Sequence, residues 1–122
     1  MRILVVEDDR ILRGLILDVV GASSRFRAYG AGTVAEAEAM LGQHDGCFDA
    51  VLLDSSLPDG DGNTLCLKLR AAGFTKPIVI LTGRSGAAAE QWSLDHGATE
   101  HLTQPISMIH LLKRLLALTA AS

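Results

Sequence analysis

Residues 1–9 of the chain read MRILVVEDD, an apolar run that ends in three consecutive acids. The stretch Arg2 to Val6 has the β-branched and apolar composition of a buried strand. Glu7, Asp8 and Asp9 follow it directly, so carboxylates stand at the point where the predicted strand ends. The rest of the chain repeats this strand pattern.

Short apolar runs alternate along the chain with longer segments of helical period. The strand candidates are Arg2 to Val6, Arg25 to Ala31, Ala50 to Leu53, Ile78 to Leu81 and Thr99 to Leu102. Such alternation is typical of βα units around a parallel sheet that is covered on both faces. Five units in a chain of 122 residues predict a flavodoxin-like (βα)5 doubly wound α/β fold, with a five-stranded parallel sheet of order 2-1-3-4-5. A (βα)8 barrel needs eight units and is excluded.

The segments between the strands carry apolar stripes and recognisable helix ends. Apolar residues recur in the first helix at Ile11, Leu12, Leu15, Ile16, Val19 and Val20, and in the fifth at Ile109, Leu112, Leu115 and Leu116. Thr33 and Glu36 form a capping-box sequence for the second helix. Gly73 and Gly97 are expected to end the third and fourth helices, while Ser85 and Ser107 are expected to cap the fourth and fifth.

Polar side chains follow several predicted strands, as the acids follow the first. Asp54 comes after the third strand, Thr82 after the fourth, and Thr103, Gln104 and Pro105 after the fifth. In a doubly wound fold the site lies at the carboxyl ends of the strands. These residues and the three acids are therefore expected on one rim of the sheet.

Carboxylates gathered on one rim repel one another and raise one another's pKa unless a cation is present. The pattern therefore favours a site for a hard, oxygen-seeking divalent ion. Mg2+ is favoured over Ca2+, because it binds through one or two carboxylates beside a phosphoryl group, and zinc lacks His or Cys ligands here. Asp9 has an alternative interpretation as the cap of the first helix. Asp8 and Asp54 are expected in the site itself.

Several sequence blocks together resemble a response-regulator receiver domain of a two-component system, similar to the chemotaxis regulators. The blocks are Val5 to Asp9, Asp54 to Pro58 with Gly62, Leu81-Thr82 at the end of strand four, and Gly97-Ala98 before strand five. The resemblance covers essentially the whole chain in order and spacing. It implies a single receiver domain over residues 1–122.

The resemblance implies that Asp54 is the phospho-acceptor. Asp8 and Asp54 would bind Mg2+ directly, Glu7 would act through water, and the backbone carbonyl of Ser56 would complete the protein's share of the metal ligands. The residue types suit this chemistry, because a carboxylate nucleophile can form an acyl phosphate while Mg2+ neutralises charge on the transferred group.

The resemblance also implies a conformational change on phosphorylation. Thr82 would donate its hydroxyl to a phosphoryl oxygen and move inward, and His101, at the family's aromatic switch position, would turn in after it. Without the resemblance, His101 is a half-exposed strand residue. Pro58 and Gly62 are expected to shape the loop after Asp54, with Gly62 permitting unusual backbone angles.

Gln104 departs from the family pattern, which has Lys before the proline that follows strand five. An ammonium there would pair with the acids and the phosphoryl group, whereas a neutral amide donates hydrogen bonds without charge. Gln104 is expected to make the acids more dependent on Mg2+ for neutralisation. Arg84 is an alternative source of the missing charge. By the family analogy, Pro105 follows a cis peptide bond.

The composition limits other functions. With 11 basic and 14 acidic residues and a net charge of -3, the chain lacks the basic excess expected of direct nucleic-acid binding. Apolar runs such as Ile3 to Val6 are too short to cross a bilayer, and the first residues lead into a strand rather than a signal peptide. The chain is therefore expected to be cytoplasmic, without membrane binding. Cys47 and Cys66 have no spacing typical of zinc or redox motifs.

The preferred function is a phosphoryl-accepting switch of a phosphorelay that alters a surface of helix four, strand five and helix five. Its implied partners are a histidine kinase or histidine phosphotransfer protein as donor, and a downstream effector or fused output domain. An alternative is a receiver-like interaction module that works without phosphorylation, motivated by Gln104. A small phosphatase is disfavoured, because Ser56 stands where a second carboxylate would be needed. No enzyme activity is expected beyond the domain's own phosphorylation and dephosphorylation.

Overall fold

The computed structural model describes residues 1–43, 46–83 and 86–120. Its main sheet contains β1 (Arg2–Val6), β2 (Arg27–Ala31), β3 (Ala50–Asp54), β4 (Ile78–Thr82) and β5 (Glu100–Thr103). The helices are α1 (Arg10–Ala22), α2 (Val34–Gln43), α3 (Gly62–Ala71), α4 (Ala87–Asp95) and α5 (Met108–Ala120). Two short antiparallel strands, Ser56–Leu57 and Gly60–Asp61, lie between β3 and α3. Nowhere in these ranges is a helix both long and apolar enough to cross a membrane.

The five main strands are parallel and lie in the order β2-β1-β3-β4-β5. This confirms the predicted flavodoxin-like doubly wound fold. The central strands are apolar on both faces because both are covered: Leu4 and Val6 pack in one core, and Ile3 and Val5 in another.

The core that contains Ile3 and Val5 is completed by α1 and α5. Ile16 and Val20 of α1 and Leu111 and Leu115 of α5 are buried in it. Residues of α2 and α3 complete the other core, together with Phe48 before β3. Each face of the sheet therefore has its own hydrophobic layer.

Three residues predicted to lie in the helical stripes are instead mainly solvent-exposed. Ile11 is 78% exposed, Leu15 is 51% exposed and Ile109 is 69% exposed. The predicted helices are present, but helical spacing identifies a broad apolar sector, whereas each helix buries only the strip in contact with the sheet. In α1 that strip runs through Ile16 and Val20.

Two glycines end helices as predicted. Gly73 follows α3 with φ 97° and Gly97 follows α4 with φ 96°, a left-handed conformation that glycine adopts without a Cβ clash. Ser107 caps α5, because its hydroxyl oxygen accepts a hydrogen bond from the His110 N–H at 3.3 Å. The predicted cap Ser85 lies outside the described residues.

The cap of α2 is more extensive than the capping-box sequence predicts. The Thr33 hydroxyl accepts from the Glu36 N–H at 3.0 Å as expected, but the Glu36 carboxylate accepts from Gly32 instead of Thr33. Asp59 supplies the remaining acceptors, taking the N–H groups of Val34 and Ala35 at 2.7 and 3.0 Å. Asp59 therefore ties the loop after β3 to the start of α2.

Candidate functional site

Three carboxylates meet at the carboxyl ends of β1 and β3, and we call them the acid cluster: Glu7, Asp8 and Asp54. One ligand oxygen from each lies within 4.8 Å of the others. Glu7 and Asp8 follow β1, as predicted. Asp54 is the last residue of β3, because that strand extends one residue beyond its predicted end at Leu53. Glu7 is buried, Asp54 is half-buried and Asp8 is exposed.

Burial and mutual contact shift the pKa values of the acid cluster in different directions. Burial, followed by hydrogen bonds with Asp54 and Asp8, raises the pKa of Glu7 to about 8. Burial also raises the pKa of Asp54, whereas the hydrogen bond from Glu7 lowers the pKa of exposed Asp8. Glu7 therefore holds a proton near neutral pH and donates it to its neighbours, which keeps the three carboxyls from all being charged.

The donor set suits a hard divalent cation. The acid cluster offers carboxylate oxygens only, which Mg2+ prefers to nitrogen or sulfur, and burial beside two other acids raises the pKa of Glu7. The Ser56 N–H donates to Asp54 Oδ1 at 3.1 Å and so orients that carboxylate. The role of the Ser56 carbonyl in metal binding stays a prediction.

Asp9 caps helix α1, which is one of the two roles that the sequence allowed for it. Its Oδ1 accepts the N–H groups of Ile11 and Leu12 at 2.9 and 3.2 Å, at the start of α1. Its own N–H donates to Glu7 Oε2 at 3.2 Å. Asp9 therefore orients a member of the acid cluster through its backbone while its side chain caps the helix.

Gly62 is required at the site for a reason other than the predicted one. Its φ is ordinary, but a Cβ added there would lie 2.0 Å from the backbone oxygen of Asp54. The loop that leaves Asp54 turns at Pro58-Asp59 between the two short strands and returns to this close contact. Only a glycine lets α3 begin directly against the end of β3.

Thr82 and His101 lie on the neighbouring strands β4 and β5. Thr82 ends β4 and is buried, and its carbonyl accepts the Gln104 N–H at 2.7 Å. His101 lies in β5 opposite Ile80, with a half-buried ring. Its Nδ1 lies 3.1 Å from the hydroxyl of Ser93, a buried residue of α4. Sequence reasoning missed Ser93, since nothing local marks it as a partner of β5.

The sequence profile of the response regulator receiver domain matches residues 3–116. The chain belongs to this family. Receiver domains are regulatory signalling modules of two-component systems, so the suspected resemblance is confirmed.

Two curated relatives are regulatory proteins about twice as long as this chain. This chain is 35% identical over 119 residues to the transcriptional regulatory protein PmrA of Pectobacterium parmentieri, and the match covers 97% of this chain and 52% of the relative. It is 38% identical over 117 residues to the swarming motility regulation protein RssB of Serratia marcescens, covering 96% and 52%. The chain thus spans about half the length of the curated relatives it matches.

Solved structures show the same fold. The BeF3-activated N-terminal receiver domain of Klebsiella pneumoniae RstA is 31% identical, with a TM-score of 0.87 and 98% of both chains covered. The non-phosphorylated HemR receiver domain of Leptospira biflexa is 30% identical, with a TM-score of 0.88 and 99% of this chain and 95% of that chain covered.

Gln104 gives this receiver domain a neutral contact to the acid cluster. Its Nε2 donates to Glu7 Oε1 at 3.4 Å, a long hydrogen bond, and the Gln104-Pro105 peptide bond is cis as the resemblance implied. The alternative cation Arg84 lies outside the described residues. Arg13, which the sequence reasoning did not consider, donates from Nη1 to the Glu7 backbone oxygen at 2.7 Å. A guanidinium therefore lies beside β1, bound to a carbonyl.

Proposed function

We propose that this receiver domain is a phosphoryl-accepting switch of a two-component phosphorelay, with Asp54 as the phospho-acceptor and the whole chain, residues 1–122, as one cytoplasmic receiver domain. The observation that carries the proposal is the position of the half-buried Asp54 carboxylate, within 4.8 Å of the oxygens of Glu7 and Asp8 at the strand ends. A nucleophile for phosphoryl transfer needs this access together with an adjacent site for neutralising charge.

In the proposed reaction an oxygen of Asp54 attacks the phosphorus of a phosphohistidine on the donor protein. The new O–P bond forms as the P–N bond breaks, and the departing imidazole takes up a proton, so the products are an acyl phosphate and a neutral histidine. The Ser56 N–H holds Oδ1 of Asp54, which leaves the other carboxylate oxygen for attack. The donor is a histidine kinase or a histidine phosphotransfer protein.

Asp8 and Asp54 would hold Mg2+ directly, with Glu7 through water and the carbonyl of Ser56 as a further ligand. When bound, the ion supplies positive charge that offsets the negative charge gathered on the carboxylates and phosphoryl oxygens during transfer. Glu7 releases its proton more readily when positive charge is near, since the pKa of Glu7 is raised by burial among other acids.

Phosphorylation would bias the surface formed by α4, β5 and α5. Buried Thr82 lies at the end of β4, next to the strand that ends in Asp54. Its hydroxyl would bind a phosphoryl oxygen, and the His101 ring would leave the Ser93 hydroxyl and turn inward. Such a change shifts the population of two surface states rather than creating a new one. A downstream effector or a fused output domain would respond to that shift.

The test of this function is intact-mass spectrometry after incubation with a small acyl-phosphate donor, with and without Mg2+. The expected result is a gain of one phosphoryl group that depends on Mg2+. It should vanish in Asp54→Asn and persist in Asp18→Asn, which makes the same chemical change on the exposed side of α1. Phosphorylation that survives in Asp54→Asn would refute the acceptor assignment, and many turnovers on a phosphomonoester would favour an enzyme.

Gln104 favours a second candidate, an interaction module that works without phosphorylation. The amide contributes no charge to the acid cluster, so transfer to Asp54 lacks the cation that the family pattern supplies. The discriminating measurement is partner binding by Asp54→Asn. Affinity equal to that of wild type treated with the phosphoryl donor supports the silent module, whereas affinity that differs from that of the treated wild type supports the switch.

A further inference from the structure

A wide cleft lies at the opposite end of the sheet from the acid cluster. Its wall is formed by the segments that lead into four strands, namely residues 1–2, 24–27, 46–49 and 74–76, together with the ends of α2 and α3. Its volume is about 1070 Å³. Each strand between the two sites has five residues and so separates them by about 15 Å.

The cleft concentrates positive charge in a chain whose net charge is negative. We call it the cationic cleft because four cationic side chains line it: Arg2, Arg25, Arg27 and Lys76. Among its described lining residues, Asp49 is the sole acid, and one oxygen of its carboxylate accepts the Arg2 backbone N–H at 2.8 Å. Helix ends nearby contribute only about half a negative charge each, which leaves the wall clearly positive.

These four cations lack partners within the part of the chain that the structure describes. None of their side chains makes a hydrogen bond or ion pair there, whereas Lys68 and Arg114 pair with glutamates on neighbouring elements. Arg2 and Arg27 also stand directly opposite each other on β1 and β2. Like charges at opposed strand positions repel, so the fold itself gains nothing from this arrangement.

We propose that the cationic cleft binds an acidic polypeptide segment that carries apolar side chains between its carboxylates. The charge of the wall selects carboxylates, and the apolar surface of exposed Met1 and half-buried Leu69 and Phe74 accommodates the residues between them. The volume of about 1070 Å³ lies at the upper end of the range of about 300 to 1,000 Å³ that is usual for small-molecule sites and is far more than a small anion fills, which favours a peptide segment. The site is separate from Asp54 and does not require its phosphorylation.

The test is titration of the isotope-labelled chain with a short synthetic peptide in which glutamates alternate with leucines, followed by amide NMR shifts. Saturable shifts are expected at residues 24–27, 46–49 and 74–76, with affinity that falls as salt is added. A peptide with lysine in place of glutamate should not bind. Shifts confined to other surfaces, or equal binding of the lysine peptide, would overturn the proposal.

A second experiment removes positive charges from the cationic cleft and measures peptide binding. Replacing both exposed arginines, Arg25→Gln with Arg27→Gln, should weaken peptide binding by about fivefold. The matched control removes two exposed cations outside the cleft, Arg10→Gln with Lys113→Gln, and should leave affinity unchanged. Equal loss in both variants would show a general effect of net charge and refute the site. Pyrophosphate binding at the same amides, as tight as that of the peptide, would refute a polypeptide occupant.

Discussion

At the carboxyl ends of the strands, oxygens of three carboxyl groups lie within 4.8 Å of one another, and one of these groups, Glu7, is buried. At the amino ends, the charges of the cationic cleft are spread around a wide opening, and Arg25 and Arg27 are exposed. Burial, followed by hydrogen bonds with the two neighbouring acids, raises the pKa of Glu7 to about 8. Water screens the exposed charges of the cationic cleft, whereas buried Glu7 is largely shielded from water.

The difference shows where the fold depends on its charged residues. The acid cluster is held by close backbone contacts and needs a cation or a proton, so changes there should alter stability and metal binding. The cationic cleft is solvated, so changes there should alter recognition alone. The following predictions test that contrast, beginning with the largest effect.

Gly62→Ala should destabilise the protein by about 3 kcal/mol or more, because the new Cβ would overlap the Asp54 backbone oxygen and force β3 and α3 apart. Chemical denaturation would measure the change. Gly42→Ala is the matched control, since nothing lies within 4 Å of a Cβ there. That helix substitution should stabilise by about 0.5 to 1 kcal/mol. Equal effects at both glycines would contradict the close contact.

Asp8→Asn should lower Mg2+ affinity by about 10- to 100-fold, since it removes a charged oxygen ligand. Asp9→Asn should change the affinity little, because the Asp9 side chain caps α1 and asparagine is an equally good cap. Calorimetric titration with Mg2+ compares the two variants. A larger loss in Asp9→Asn would reverse the assignment of the two adjacent acids.

Glu7→Gln should remove a pH dependence of stability in the metal-free protein. Glu7 has an ordinary pKa near 4.5 when unfolded and about 8 when folded, so the native state binds more protons between these values. Wild-type stability should therefore fall as pH rises through this window, and the variant should lack that fall. The free energy of unfolding of the variant, relative to that of the wild type, should rise by at least about 1 kcal/mol from acid to alkaline pH.

The measurement is denaturation with a chelator present at several pH values. Asp18→Asn, on the exposed side of α1, should keep the wild-type slope. A Glu7→Gln profile parallel to that of the wild type would show that Glu7 is ionised throughout.

Gln104→Lys should speed Mg2+-dependent phosphorylation of Asp54 by several-fold, because an ammonium beside Glu7 adds positive charge where the amide adds none. The rate follows from intact-mass spectrometry over time. Gln91→Lys makes the same change on an exposed face of α4 and should have no effect. Unchanged rate, Mg2+ affinity and phosphoryl lifetime in Gln104→Lys would refute the role given to the amide.

The Arg25→Gln, Arg27→Gln pair should have the smallest effect, changing stability by less than about 0.5 kcal/mol and leaving phosphorylation unchanged. Both side chains are exposed and have no partner in the described part of the chain. Denaturation and mass spectrometry measure these quantities. A loss of stability above about 1 kcal/mol would show that the cations serve the fold rather than a ligand.

Most of the fold was predictable, because strand composition and helix ends are local signals. The acid run after Val6 and the acid after Leu53 also located the acid cluster, since parallel strands present their carboxyl ends on one edge. The features that the sequence did not reveal share a cause. The exposure of Ile11, the reason for Gly62 and the cap from Asp59 each depend on residues distant in sequence.

The sequence by itself determined the element order, the doubly wound topology, the meeting of Glu7, Asp8 and Asp54, and membership of the receiver family. These follow from composition, periodicity and motif order, which each short segment carries. The tertiary structure alone decided that Asp9 caps a helix, that Ser93 contacts His101, and that scattered cations face one cleft. Contacts between distant segments form only when packing brings those segments together.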